Sequence, residues 1–210
     1  MISLFIDTSS FDVSIAIVKD NKILASICDS IPNEHSIYVT SYLDDVIKEA
    51  GIDKKDIDKI MVVNGPGSFT GLRIGVTIAK VFAYLLEKKV ICVSSLKMRA
   101  LSVKHDYCLT LINARNDNYY LALYDKDNNE VVDPKFGNKG EVLDIISKYQ
   151  PICIADDSFE IDDINVCKQE LDILSIVDYY KNSDEIESHM VVPEYLKLPQ
   201  AMEKSNDKRN

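Results

Sequence analysis

Along the chain, apolar positions follow first a short period and then a long one. The opening "SLFIDTSSFDVSIAIVKDNKILASI" holds three apolar runs, Leu4 to Ile6, Val13 to Val18 and Ile23 to Ile27, rich in β-branched residues. Such runs read as strands, and Asp20-Asn21 between the second and third reads as a hairpin turn. Across "SIYVTSYLDDVIKEA", residues 36–50, the period lengthens. Val39, Leu43, Val46, Ile47 and Ala50 fall on one helical face, and Gly51 stops the helix. "DIDKIMVVNGPG" predicts a fourth strand with its exit loop, Thr70 to Glu87 a long helix, and "KKVICVSSL" a fifth strand running into another helix.

The pattern then restarts. Offset by 106 residues, "IDTSSFDVSIAIV" (6–18) lies over "INARNDNYYLALY" (112–124), so that Asp7 falls on Asn113 and Ala16 on Ala122. The "KDNK" turn falls near "DKDNNE", and a helix from Glu141 to Lys148 and a strand from Ile152 to Ala155 follow. Matched hairpins with the same sequel imply an internal duplication: two ββ(β)αβα lobes, the second smaller and degenerate. This is the α/β, duplicated actin-like (ASKHA, RNase H-like) architecture. The expected division is 1–103 for the first, partner-binding lobe, 104–202 for an acidic second lobe, and 203–210 for a polar, mobile tail. The boundary should fall between Leu101 and Asp106, where no Pro/Gly linker occurs, so firmly packed lobes are expected.

Composition narrows the classes. A chain of 210 residues can bury one good core or two small lobes. No apolar run reaches the roughly 18 to 20 residues of a membrane helix. "MISLFIDTSS" has no basic stretch before its apolar run, so a strand is expected there, not a signal peptide. The five cysteines show no close pairs, which fits reduced, mostly buried thiols in a cytoplasmic protein. Charge is uneven. Residues 1–104 carry 13 basic and 12 acidic side chains, residues 105–210 carry 11 and 22. A protein gripping nucleic acid alone should show a basic cluster, and none occurs, so direct tight binding of tRNA or DNA is not expected.

"VVNGPGSFTGLRIGVTIAK", residues 62–80, packs four of seven glycines into eleven positions. A Walker loop would need Gly-Lys-Ser/Thr where Gly71-Leu72 stands, and the dinucleotide pattern G-x-G-x-x-G is lengthened by one residue. A weaker anion site remains open, with Ser68 and Thr70 at the helix start and Asp7 at the end of the first strand. A third possibility lies in the helix itself. Gly67, Gly71, Gly75, Ala79 and Ala83 form a stripe of small residues where another backbone can approach, and the other faces are almost wholly apolar. Such a helix is buried on more than one side. Beyond its own sheet, its cover is either the second lobe or another chain. The partner surface expected on this reading comprises Val39, Leu43, Val46, Gly71, Ile74, Gly75, Ile78, Ala79 and Phe82.

Other chemistry is thin. The hairpins "DTSSFD" and "NARNDN" lack the glycines that let a backbone wrap phosphates. His35, His105 and His189 lie far apart, with Val39 four residues after His35, so no His-x-x-x-His metal pair exists. No G-x-S-x-G elbow marks a hydrolase, and nothing assembles a peptidase triad.

"HSIYVTSYLDDVIKEAG", "GPGSFTGLRIG", "VSSL", "NARNDNYYLALY" and "PEYLKLPQA" occur in the order seen in the bacterial TsaB (YeaZ) proteins, which this chain resembles over nearly its whole length. The resemblance implies a non-catalytic scaffold or activator in tRNA threonylcarbamoyladenosine biosynthesis. Such a subunit pairs as a heterodimer with actin-like TsaD through N-terminal-lobe helices and supports binding of the ATPase TsaE. ATP and metal would then belong to those partners and not to this chain, and tRNA contact would be indirect. The family's usual Asp-Ala-Arg reads Asn113-Ala114-Arg115 here. An exposed apolar face could also pair with a second copy of the chain when the partner is absent. The alternative function is an actin-like ATPase or small-molecule kinase working alone through Asp7, Ser68 and Thr70.

Overall fold

A computed structural model describes residues 1–30, 35–155, 164–167 and 170–197. The tail expected at 203–210 lies outside the described residues. The first sheet contains β1 (Ile2–Asp7), β2 (Asp12–Lys19), β3 (Lys22–Ser30), β4 (Lys59–Gly65) and β5 (Val90–Ser94), in the order β3-β2-β1-β4-β5. β1 to β3 form an antiparallel meander, and β4 and β5 run parallel to β1. Asp20 and Asn21 both take left-handed backbone angles, the geometry a two-residue hairpin turn requires. The central strand β1 is buried along its length because both faces are covered. Leu4 and Ile6 pack under α1 (His35–Glu49) and α2 (Phe69–Leu85), whereas Phe5 faces the opposite layer.

The second sheet contains β6 (Tyr107–Asn113), β7 (Asn118–Asp125), β8 (Glu130–Asn138), β9 (Ile152–Ala155) and β10 (Val166–Cys167), ordered β10-β9-β6-β7-β8. Numbered within its own lobe, this is the same order, third-second-first-fourth-fifth, as in the first sheet. The duplication extends to single hydrogen bonds. The Ser9 N–H donates to Asp7 Oδ1 at 2.8 Å, and, 106 residues on, the Arg115 N–H donates to Asn113 Oδ1 at 2.8 Å. α4 (Lys139–Tyr149) occupies the place of α1.

α3 (Ser95–Leu101) joins the lobes. Leu96 and Ala100 pack with Cys108, Ile112, Ala122, Tyr124 and Ile154 of the second lobe, while Met98 packs with the first sheet. The chain from Leu171 does not stay with the second sheet. α5 (Ile173–Tyr180) returns to cover the free face of the first, setting Ile176, Val177 and Tyr180 against Phe5, Ala16 and Met61. Ile186 then bridges to Val90, and Glu194 donates its N–H to the Asn64 carbonyl at 2.7 Å. All five cysteines are free, but Cys28 and Cys167 are exposed, so the thiols are less uniformly buried than their residue type suggests.

Candidate functional site

The glycine loop leads from β4 into α2, and its glycines face the chain's own first hairpin. A side chain at Gly67 would run into the Ser9 carbonyl, at Gly71 into the Thr8 carbonyl, and at Gly75 into the Thr8 hydroxyl. Hydrogen bonds lock this contact. The Thr8 hydroxyl donates to the Gly71 carbonyl at 2.7 Å, and the Ser68 N–H donates to the Ser9 carbonyl at 2.8 Å. Ser68 Oγ accepts the Gly71 N–H at 3.3 Å, capping α2. Two of the amides that a phosphate would need therefore already have partners within the chain. On its far side, Gly65 backs onto the Glu194 main chain.

The three residues of the anion-site expectation are not presented together. Asp7 is 2% exposed, whereas Ser68 and Thr70 lie at the surface. Burial pushes the Asp7 carboxyl above its ordinary range, against the lowering effect of the Ser9 hydrogen bonds and the Arg99 charge. Among the described residues, no group of three His, Cys, Asp or Glu side chains could hold a metal ion. His105 and His189 lie on separate segments, and the side chain of His35 is outside the described set.

The expected partner surface needs correction. Val39, Leu43, Val46 and Ala79 belong to the chain's own core, and Gly71 and Gly75 are buried against Thr8. The stripe of small residues is thus filled from inside the first lobe. Ile74, Ile78 and Phe82 are half-buried at its border. The outward side of α2 lies roughly opposite, and it carries residues that the stripe argument passed over. Val81 is 54% exposed, Tyr84 74% and Leu85 71%. Neighbouring α1 turns Ile37 (66% exposed) and Tyr38 (38%) outward. The signal for them was in the sequence: a helix apolar on every side has apolar residues left over once one face meets its sheet. At its N-terminal end, Phe69 stacks on Tyr195 at 5.4 Å between ring centroids, with the Arg73 guanidinium 4.2 Å above the Phe69 ring.

Two mixed sheets of the same strand order, joined through one helix, make this a protein of the duplicated actin-like class. Its first-lobe loop is packed with its own backbone, and its long helix is left with an apolar outer side. A family model described as TsaD, tRNA N6-adenosine threonylcarbamoyltransferase, matches residues 23–164, more than half of the chain. The chain belongs to that family. It is 33% identical over 130 residues to the tRNA threonylcarbamoyladenosine biosynthesis protein TsaB of Bacillus subtilis (strain 168), covering 61% of this chain and 57% of that protein. The TsaB of Escherichia coli (strain K12) is likewise 33% identical, with the same coverage. The match thus spans somewhat over half the length of these relatives. YeaZ from Pseudomonas aeruginosa, at 22% identity, shares the fold with a TM-score of 0.72 over 93% of this chain and 99% of that one. No helix among the described residues is long and apolar enough to cross a membrane.

Proposed function

We propose that this chain is a scaffold or activator subunit in tRNA threonylcarbamoyladenosine biosynthesis. It pairs with a TsaD-like catalytic subunit through the outward sides of α1 and α2, and it supports binding of a TsaE-like ATPase. ATP, metal and the main tRNA contacts reside on those partners. One observation carries the reading: the loop that could have cradled a phosphate is filled by Thr8 and Ser9, while the helix it opens presents Val81, Tyr84 and Leu85 to solvent. Large apolar side chains so exposed on a small protein mark a surface that acquires cover. Without the partner, a second copy of the chain can supply it.

The reading is tested by reconstituting the modification from TsaD-like and TsaE-like proteins, the threonylcarbamoyl donor and tRNA. Modified tRNA should form only when this chain is added, and equally well with Asp7→Asn. Loss of activity in Asp7→Asn, with the complex intact, would instead place a catalytic site in this chain.

A further inference from the structure

Lys97, on the helix that joins the lobes, is 6% exposed. Lysines are rarely buried so fully without compensation. Among the described residues no carboxylate lies within ion-pair distance of it. Its ammonium instead donates to the main-chain carbonyl of Asn128, in the turn between β7 and β8. It also lies 4.4 Å from the centroid of the Tyr124 ring and 5.3 Å from that of Tyr179. Three elements converge on this one charge: α3 itself, the β7–β8 hairpin of the second lobe, and α5, which is packed on the first sheet.

The surrounding contact between lobes is apolar. Leu96 and Ala100 meet Cys108, Ile112, Ala122 and Tyr124 there. Apolar contacts have no preferred direction and allow one surface to slide over another. A hydrogen bond from a buried ammonium does not. Any slide that moves Asn128 away leaves a charge inside the protein without its acceptor, which costs far more than the bond itself gained. A second tie crosses the lobes at the end of the described chain. Tyr195 stacks on Phe69 of the first lobe, and two residues later Lys197 lies 4.5 Å from the ring centroid of Phe136 in the second.

We propose that Lys97 is a directional pin that holds the two lobes at a single angle, so that this chain acts as a rigid body and does not open and close about α3. Burial also holds the Lys97 pKa below its ordinary value, against the raising effect of the more distant Glu130 and Asp125 charges.

Two native thiols supply the probes. Cys28 on β3 and Cys167 on β10 are exposed, one in each lobe. Burial pushes Cys92 and Cys153 up to about 11 and Cys108 up to about 12, which slows their labelling. Nitroxides on Cys28 and Cys167 of the full chain, in a Cys92→Ser background, are read by pulsed electron paramagnetic resonance. The wild type should give one narrow distance. Lys97→Met, which keeps the stem but not the donor, should add a second distance population, and Lys97→Arg should restore the single one. Several distances in the wild type, or an unchanged single distance in folded Lys97→Met, would overturn the proposal. Should Lys97→Met fail to fold, Lys97→Gln is read against the same two outcomes.

Discussion

At the residue scale, Asp7 and Asn113 carry the sharpest information. The two stand at equivalent places in the repeat and accept the same backbone hydrogen bond, yet only one can ionise. The folded-state pKa of Asp7 lies above its ordinary 3.8 because burial disfavours the charged form. Between 3.8 and that raised value the folded chain binds more protons than the unfolded one. Stability therefore falls as pH rises through this window and is lowest above it. Asp7→Asn should consequently melt at a higher temperature than the wild type at neutral pH, and the gap should close below about pH 4. A variant less stable at neutral pH would show that the Ser9 hydrogen bonds and the attraction to Arg99 outweigh the cost of burial. The sequence alone drew attention to Asp7 as an acid at a strand end. It could not show that the side chain is sealed, because burial depends on tertiary contacts that leave no mark in the local pattern.

At the element scale, α2 shows what periodicity can and cannot decide. Its length, its serine cap and its unusual apolarity were all legible. The stripe of small residues was also real, and only its partner was misassigned: a backbone does approach there, but it is that of Thr8 and Ser9 and not of another helix. Spacing identifies a face without identifying what covers it, and a segment 60 residues upstream leaves no mark in the local pattern. Gly71→Ala should therefore destabilise the isolated chain by about 1–3 kcal/mol, because the new methyl runs into the Thr8 main-chain carbonyl. Chemical denaturation checks this. Unchanged stability together with lost partner binding would return the stripe to the partner surface. β8 was hard to see for a related reason. It is an edge strand with Pro134, irregular register and a single buried position, and so has little apolar alternation to read.

At the scale of the whole molecule, the duplication was legible because two hairpins and their sequels kept the same order. The return of the C-terminal segment was not. α5 lies nearly 80 residues beyond the first-lobe strand β5, whose far face it helps to cover, and it has no counterpart in local sequence that would announce a crossing between lobes. With that crossing the first lobe is closed beneath by α5 and closed at its glycine loop by Thr8, Ser9 and Glu194. The outer sides of α1 and α2 keep Ile37, Val81, Tyr84 and Leu85 exposed. The central claim, pairing through those sides, is tested most directly by the solution mass of the chain mixed with a TsaD-like protein, measured by sedimentation for the wild type and for Val81→Glu/Leu85→Glu. Both positions are exposed, so each change should alter stability by no more than about 0.5 kcal/mol. The account predicts a one-to-one complex with the wild type and separate components with the variant. A variant that still sediments as the complex, with its fold intact, would contradict it.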